Sequence, residues 1–178
     1  MADFLELASS RYSCRNFSGA KVEREKLVKC IEAARLAPSG CNAQPWKFVV
    51  VDNPEIALKV AETTQQLGVN EYLAKASAFI VVLEEHAVLM PKIAKMIDSQ
   101  YFAKGDLGGA ALSICLEAES LGLATCMAGL YDRPKLCELL DLPKDQRFFL
   151  VIAVGYAAKE KEPRPKLRKS LDEICRFV

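Results

Sequence analysis

The sequence predicts an α+β domain, and three observations lead there. Apolar residues recur at helical spacing over 23–37 and again over 107–121. Short apolar runs rich in valine and isoleucine, read as strands, stand at 47–51, 76–83 and 148–156. These helices and strands follow one another without regular β-α-β alternation, which argues against a doubly wound sheet.

A brief helix is expected near the N-terminus. From Glu23 to Ala37, Leu27, Val28, Ile31 and Ala34 mark one helix face, and Pro38-Ser39-Gly40 ends it. Lys47 to Val51 reads as a strand. Pro54 opens a helix in its first turn, running to about Leu67. Ala76 to Leu83 is apolar without alternation, hence a buried strand. Pro91 to Phe102 fits a short amphipathic helix. Asp106 is expected to cap a long helix whose stripe is Leu107, Ala111, Ile114, Cys115, Ala118 and Leu121, with Gly122 as its stop. Ala124 to Ala128 is extended, Arg133 to Leu140 helical, and Phe148 to Tyr156 a strongly apolar strand. Without repeats or Ser/Gly linkers, 1–178 forms one domain, and 157–178 is its charged tail, with Pro163 and Pro165 favouring an extended path.

Composition excludes several functions. With 24 basic and 23 acidic side chains, the net charge of +1 gives no general attraction to nucleic acid or an anionic membrane. The start of the chain carries Asp3 and Glu6 rather than a basic, then apolar, signal, and no run is long enough to span a bilayer. A cytoplasmic location is expected. The seven cysteines form no C-x-x-C pair and His86 is the single histidine, so a metal site is not expected. The cysteines read as reduced, mostly buried small hydrophobes.

Familiar signatures are missing as well. Gly105, Gly108 and Gly109 form no G-x-G-x-x-G after a strand, and there is neither a phosphate loop ending in Gly-Lys-Ser/Thr nor a G-x-S-x-G elbow. One histidine supports no convincing Ser-His or Cys-His pair. An enzyme of this composition relies on a bound cofactor for its chemistry.

Two segments suit such a cofactor. In Arg11-Tyr12-Ser13-Cys14-Arg15, alternate positions of an extended chain share a face. Guanidinium forks there bind phosphate oxygens in pairs and the Ser13 hydroxyl adds a donor, although a solvated basic turn has the same composition. Pro38-Ser39-Gly40-Cys41-Asn42-Ala43-Gln44-Pro45-Trp46 is a loop of small and polar residues that lets backbone approach a ligand, or a rigid loop with Trp46 as core.

Together these segments resemble the nitroreductase family of flavoenzymes, in which R-x-S-x-R is followed by P-S-x-x-N-x-Q-P-W. Leu121-Gly122-Leu123-Ala124-Thr125 through Gly129 resembles the family's LGLGT…G stretch. Gly155-Tyr156 and the later basic residues Lys159, Lys161, Arg164, Lys166 and Arg168 resemble its tail. The matches occur in the family's order over nearly the whole chain. Two departures stand out: Gly40 replaces a frequent second serine, and 83–105 is short where longer members cover the site.

The resemblance implies a nitroreductase-like fold with a mostly antiparallel central sheet, an intertwined homodimer, and FMN between the subunits. It places Arg11, Tyr12, Ser13, Arg15, Lys166 and Arg168 at the phosphate end, Asn70 at the pyrimidine end, and Ala128 and Gly129 at the flavin N5/O4 edge. Pro38, Ser39, Gly40 and Asn42 would come from the opposite subunit. The implied activity is a two-step transfer of electrons from NADH or NADPH through flavin to a nitroaromatic, a quinone or a similar small acceptor, with no catalytic side chain. Alternatives are a relative with other flavin chemistry (dehalogenation, ring dehydrogenation, flavin breakdown), a flavin carrier without turnover, or a thiol redox protein using Cys41 or Cys14. Tyr101, Phe102 and Tyr131 either line the substrate pocket or pack in the core.

Overall fold

The computed structural model describes residues 3–159 and 166–178. Lys161, Pro163, Arg164 and Pro165 of the predicted tail lie outside the described residues. Helices α1 (Phe4–Ser10) and α2 (Arg24–Arg35) precede strand β1 (Trp46–Val51); α3 (Pro54–Thr63) precedes β2 (Ala78–Glu84). Then come α4 (Pro91–Ala94), α5 (Ser99–Ser120), β3 (Ala124–Ala128), α6 (Arg133–Leu139), β4 (Arg147–Gly155) and α7 (Leu171–Ile174).

The strands form one sheet in the order β1-β2-β4-β3, every neighbouring pair antiparallel. Its centre explains the apolar run at 76–83. All seven residues of β2 are buried, because the strand has a core on each side. Phe79, Val81 and Leu83 face one cluster with Val60 and Leu136 of α3 and α6. Ala78, Ile80 and Val82 face another with Leu27 of α2 and Leu107 and Ile114 of α5. Burial on both faces thus follows from helices above and below the sheet, without the parallel strands that usually accompany it. Each fully buried large apolar side chain contributes about 1.5–3 kcal/mol.

The helices depart from the sequence reading in four places. α3 stops at Thr63, and Leu67 takes φ 61 in a separate turn. Val28 is exposed at 54%, while Leu27, Cys30 and Ala34 carry the buried face of α2. The helix expected over 91–102 is only α4, and its second half already belongs to α5. Asp106 does not cap α5: Asp98 does, accepting from the Gln100 N–H at 3.0 Å. Asp106 lies inside the helix. At the other end Gly122 stops α5 as expected, at φ 74 with Leu123 N–H returning to Ala118 O at 2.8 Å, a Schellman closure.

Gln100 anchors the start of α5 to the sheet. Its Nε2 donates to buried Glu84 at 2.6 Å and its Oε1 accepts from the Ala87 N–H at 3.0 Å. No helix among the described residues is long and apolar enough to cross a membrane.

Candidate functional site

Arg11–Phe17 touches the outer edge of β3 and then the chain that follows β4. Ser13 bridges Thr125 in parallel, and the Cys14 N–H donates to Thr125 O at 2.8 Å. Further on, Phe17 bridges Ala157, Ser18 N–H donates to Tyr156 O, and Ala158 N–H donates to Asn16 O. Cys14 and Phe17 point inward, each 1% exposed, which leaves Ser13 and Arg15 exposed and Arg11 partly so. Burial, with Cys14 as hydrogen-bond partner, pushes the Tyr12 phenol up to about 12.

Distant residues join this edge. The Arg15 guanidinium stands 5.9 Å from the centre of the Tyr72 ring, within cation–π range. The Tyr72 hydroxyl donates to Asn70 Oδ1 at 2.9 Å, and Asn70 Nδ2 donates to the Thr64 carbonyl at 3.1 Å. Asn70 holds a left-handed backbone at φ 63, which asparagine tolerates better than most residues. Burial raises the Cys126 thiol, a trend opposed by the Tyr72 hydrogen bond and by the nearby Arg15 and Arg11 charges. At the other end of the segment, Lys166 Nζ donates to Ala8 O at 2.8 Å and Arg11 O at 2.6 Å. The tail therefore returns to the arginine segment. Arg168 is exposed and donates to Leu167 O at 2.7 Å.

The second segment lies elsewhere. Gly40–Asn42 forms a single 3₁₀ turn, and Cys41, Asn42 and Gln44 have φ of 53, 54 and 47. Ser39 Oγ accepts from the Gln44 N–H at 3.0 Å and Asp106 Oδ2 accepts from the Gly40 N–H at 3.1 Å. This loop leads into β1, whereas Arg11–Arg15 flanks β3, and β2 and β4 stand between. At about 4.8 Å per strand spacing, three spacings separate the strand that the loop enters from the strand that the arginines flank. Ala128 and Gly129 end β3, on the arginine side; Ala128 is buried and Gly129 exposed.

Of the aromatic candidates, Tyr101 is 76% and Phe102 37% exposed on the first turns of α5. Tyr131 packs in the core, its ring 5.7 Å from that of Phe148 and its hydroxyl donating to Phe148 O at 3.0 Å. Tyr72 and Asp106 are the two site residues that motif reading missed. A cavity of about 460 Å³ between α3 and α6 is lined by Lys59, Glu62, Thr63, Lys135, Glu138 and Leu139, and contains no candidate residue. The arginine segment lies at an edge of the sheet, beside β3. No cluster among the described residues could hold a metal.

The donor set fits FMN. Arg11, Ser13 and Lys166 offer charge and hydroxyl chemistry suited to a phosphate, and Asn70 offers an amide suited to a pyrimidine edge.

Comparison with known proteins points the same way. Residues 8–156 match the model of the nitroreductase family. A protein of Archaeoglobus fulgidus named as an NADH dehydrogenase/NAD(P)H nitroreductase is 33% identical over 166 residues, covering 91% of this chain and 90% of that one. Iodotyrosine deiodinase 1 of Mus musculus is 26% identical over 196 residues, 97% of this chain and 68% of that one. Among solved structures, a nitroreductase family protein of Clostridium difficile superposes with TM-score 0.80 at 29% identity, over 98% of each chain. A nitroreductase of Exiguobacterium sibiricum, solved in complex with FMN, superposes at 0.83 over 100% of this chain and 98% of that one, at 23% identity.

Proposed function

This chain belongs to the nitroreductase family, and we propose that it is an FMN-dependent oxidoreductase working as a homodimer. In this reading it takes electrons from NADH or NADPH and delivers them to a nitroaromatic, a quinone or a similar small acceptor. The observation that carries the reading is the convergence on the β3 edge of Arg11, Ser13 and Arg15 with Asn70 and Lys166, residues far apart in sequence. FMN, when bound, supplies a reversible two-electron centre. The chain's own residues bind and orient it.

Arg11, Tyr12, Ser13, Arg15, Lys166 and Arg168 hold the phosphate end. Asn70 meets the pyrimidine end, its amide oriented by Tyr72 and the Thr64 carbonyl. The ends of β3 at Ala128 and Gly129 offer backbone N–H groups, fixed dipoles suited to a polar edge that gains charge. Pro38, Ser39, Gly40 and Asn42 serve the partner subunit's site. Support for that division is the separation of the loop and the arginines to opposite edges of one sheet. Exposed apolar residues of the tail, Leu171 at 63%, Ile174 at 68% and Phe177 at 86%, supply surface for an intertwined dimer.

The similarity to iodotyrosine deiodinase 1 over 97% of this chain favours one second reading, reductive dehalogenation in the same site. Purified protein should be yellow, release about one FMN per chain by mass, and run as a dimer in solution. Anaerobic NADPH or NADH should then bleach it, and recovery of colour with nitroaromatics against halophenols separates the two readings. Colourless protein that takes up no added FMN would sink both.

A further inference from the structure

We infer that Asp106 is a positioning residue: its carboxylate fixes the Ser39–Asn42 loop in the shape and place in which that loop meets the cofactor. The inference rests on the flavin-binding role proposed for the loop.

Aspartate inside a helix is a poor helix former, because its side chain competes for backbone partners. Asp106 has no role in ending or starting α5. Its partner is across space, the Gly40 N–H at 3.1 Å, sixty-six residues away in sequence. That N–H opens the Gly40–Asn42 turn, where the first donors have no partner within the turn itself.

The loop needs such an anchor. Cys41, Asn42 and Gln44, none of them glycine, hold left-handed backbone conformations, which persist only where the surroundings fix them. At its far end the loop is tied to the sheet, where Pro45 O accepts from the Glu85 N–H at 2.9 Å; among the described residues, the other hydrogen bonds of Ser39–Gln44 stay within the loop and the first residue of β1. Asn42 N–H reaches Ser39 O at 3.0 Å, Ala43 N–H reaches Gly40 O at 3.0 Å, and Gln44 reaches Ser39 Oγ and Asn42 O. Internal bonds set shape. They do not set where the loop sits on the rest of the molecule.

Placement of the Gly40 end comes from α5. A Cβ added at Gly40 would meet the Phe102 ring at 3.4 Å, an ordinary contact, so the ring faces the turn with room for about one methyl between them. Phe102 and Asp106 are one turn apart on α5 and face the loop together. The start of α5 is in turn held by Gln100 on Glu84 and Ala87. One helix thus carries both a polar contact to the end of β2 and a polar contact to the loop. Through it, Ser39 and Asn42 are presented in one arrangement before any ligand arrives, the condition for tight binding without ordering cost.

The test uses the full chain, wild type beside D106A and D106N. The amide analogue keeps an oxygen that can accept from Gly40. FMN affinity is measured by fluorescence quenching, with the melting temperature of the flavin-free protein recorded alongside. Hydrogen exchange is followed over the segment containing Gly40. D106A should weaken FMN binding at least tenfold, and D106N should stay within threefold of wild type. Exchange at Gly40 should be slow in wild type and D106N and fast in D106A. FMN binding by D106A as tight as wild type, or an unprotected Gly40 amide in the wild-type chain, overturns the inference. If D106A fails to fold, exchange in wild type and D106N still decides. Failure of the wild-type protein to bind FMN would instead remove the proposed function, while Gly40 protection would continue to report the tie itself.

Discussion

The arginine segment and the Pro38–Gln44 loop both offer polar groups to a ligand, yet they are held in opposite ways. Arg11–Phe17 is a strand-like edge, bonded by backbone to Thr125 and Ala158 and pinned by two side chains that are 1% exposed. Its chemistry rides on the core. The loop has three left-handed residues without glycine and leans on a carboxylate from α5. Its chemistry rides on a few contacts. Charge is therefore presented by the rigid element, and small polar groups by the element held by fewer contacts; in the proposed function the first meets a phosphate and the second a partner subunit's site.

The sharpest way to break this contrast is to hollow out the rigid side. Phe17→Ala removes a buried ring and should destabilise the protein by about 3–5 kcal/mol, since large-to-small core changes lose both transfer energy and packing. Urea denaturation measures it, and a loss near zero would show that the edge is not anchored by the core. Next comes the chemistry on that edge. Arg11→Ala with Arg15→Ala should weaken FMN binding on the order of 100-fold, the loss of two charge-assisted contacts, with little change in denaturation midpoint. Equal retention of flavin would remove the phosphate assignment. The smallest effect belongs to the loop. Cys41→Gly relieves a left-handed residue, worth about 1–2 kcal/mol, against about 0.5–1 kcal/mol of added chain entropy. Stability should rise slightly, and a clear fall would mean that the Cys41 side chain is held by contacts rather than strained.

The strands were legible because apolar runs bounded by turn residues leave few alternatives. Each observed strand lies within two residues of its expectation. α5 was misjudged at its start for a physical reason. Asp106 stands before a clear apolar stripe, the pattern of a cap, while the true cap, Asp98, precedes two turns in which Ala103 is the sole buried residue. Those turns carry Tyr101, Lys104 and Gly105 outward, so their periodicity is faint. The arginine segment and the loop were readable as motifs, since spacing within a segment is local information. Tyr72 was not, because its importance lies in a ring beneath Arg15 and a hydroxyl on Asn70, and only the fold brings these together. The Asp106–Gly40 contact escaped for the same reason. A carboxylate bonded across sixty-six residues leaves no pattern along the chain.

The strand order has a consequence for how the protein is made. No two neighbours in the β1-β2-β4-β3 sheet are joined by a tight turn, and the Arg11–Phe17 edge is completed by Tyr156 and Ala157, which follow the last strand. Pairings of this span are slow to close. During vectorial synthesis Arg11–Phe17 emerges well before Tyr156 and Ala157 and waits for them before it has its full set of partners. The arginine segment is then among the final features to mature, so under the proposed function flavin would be captured by the finished chain and would stabilise it by mass action.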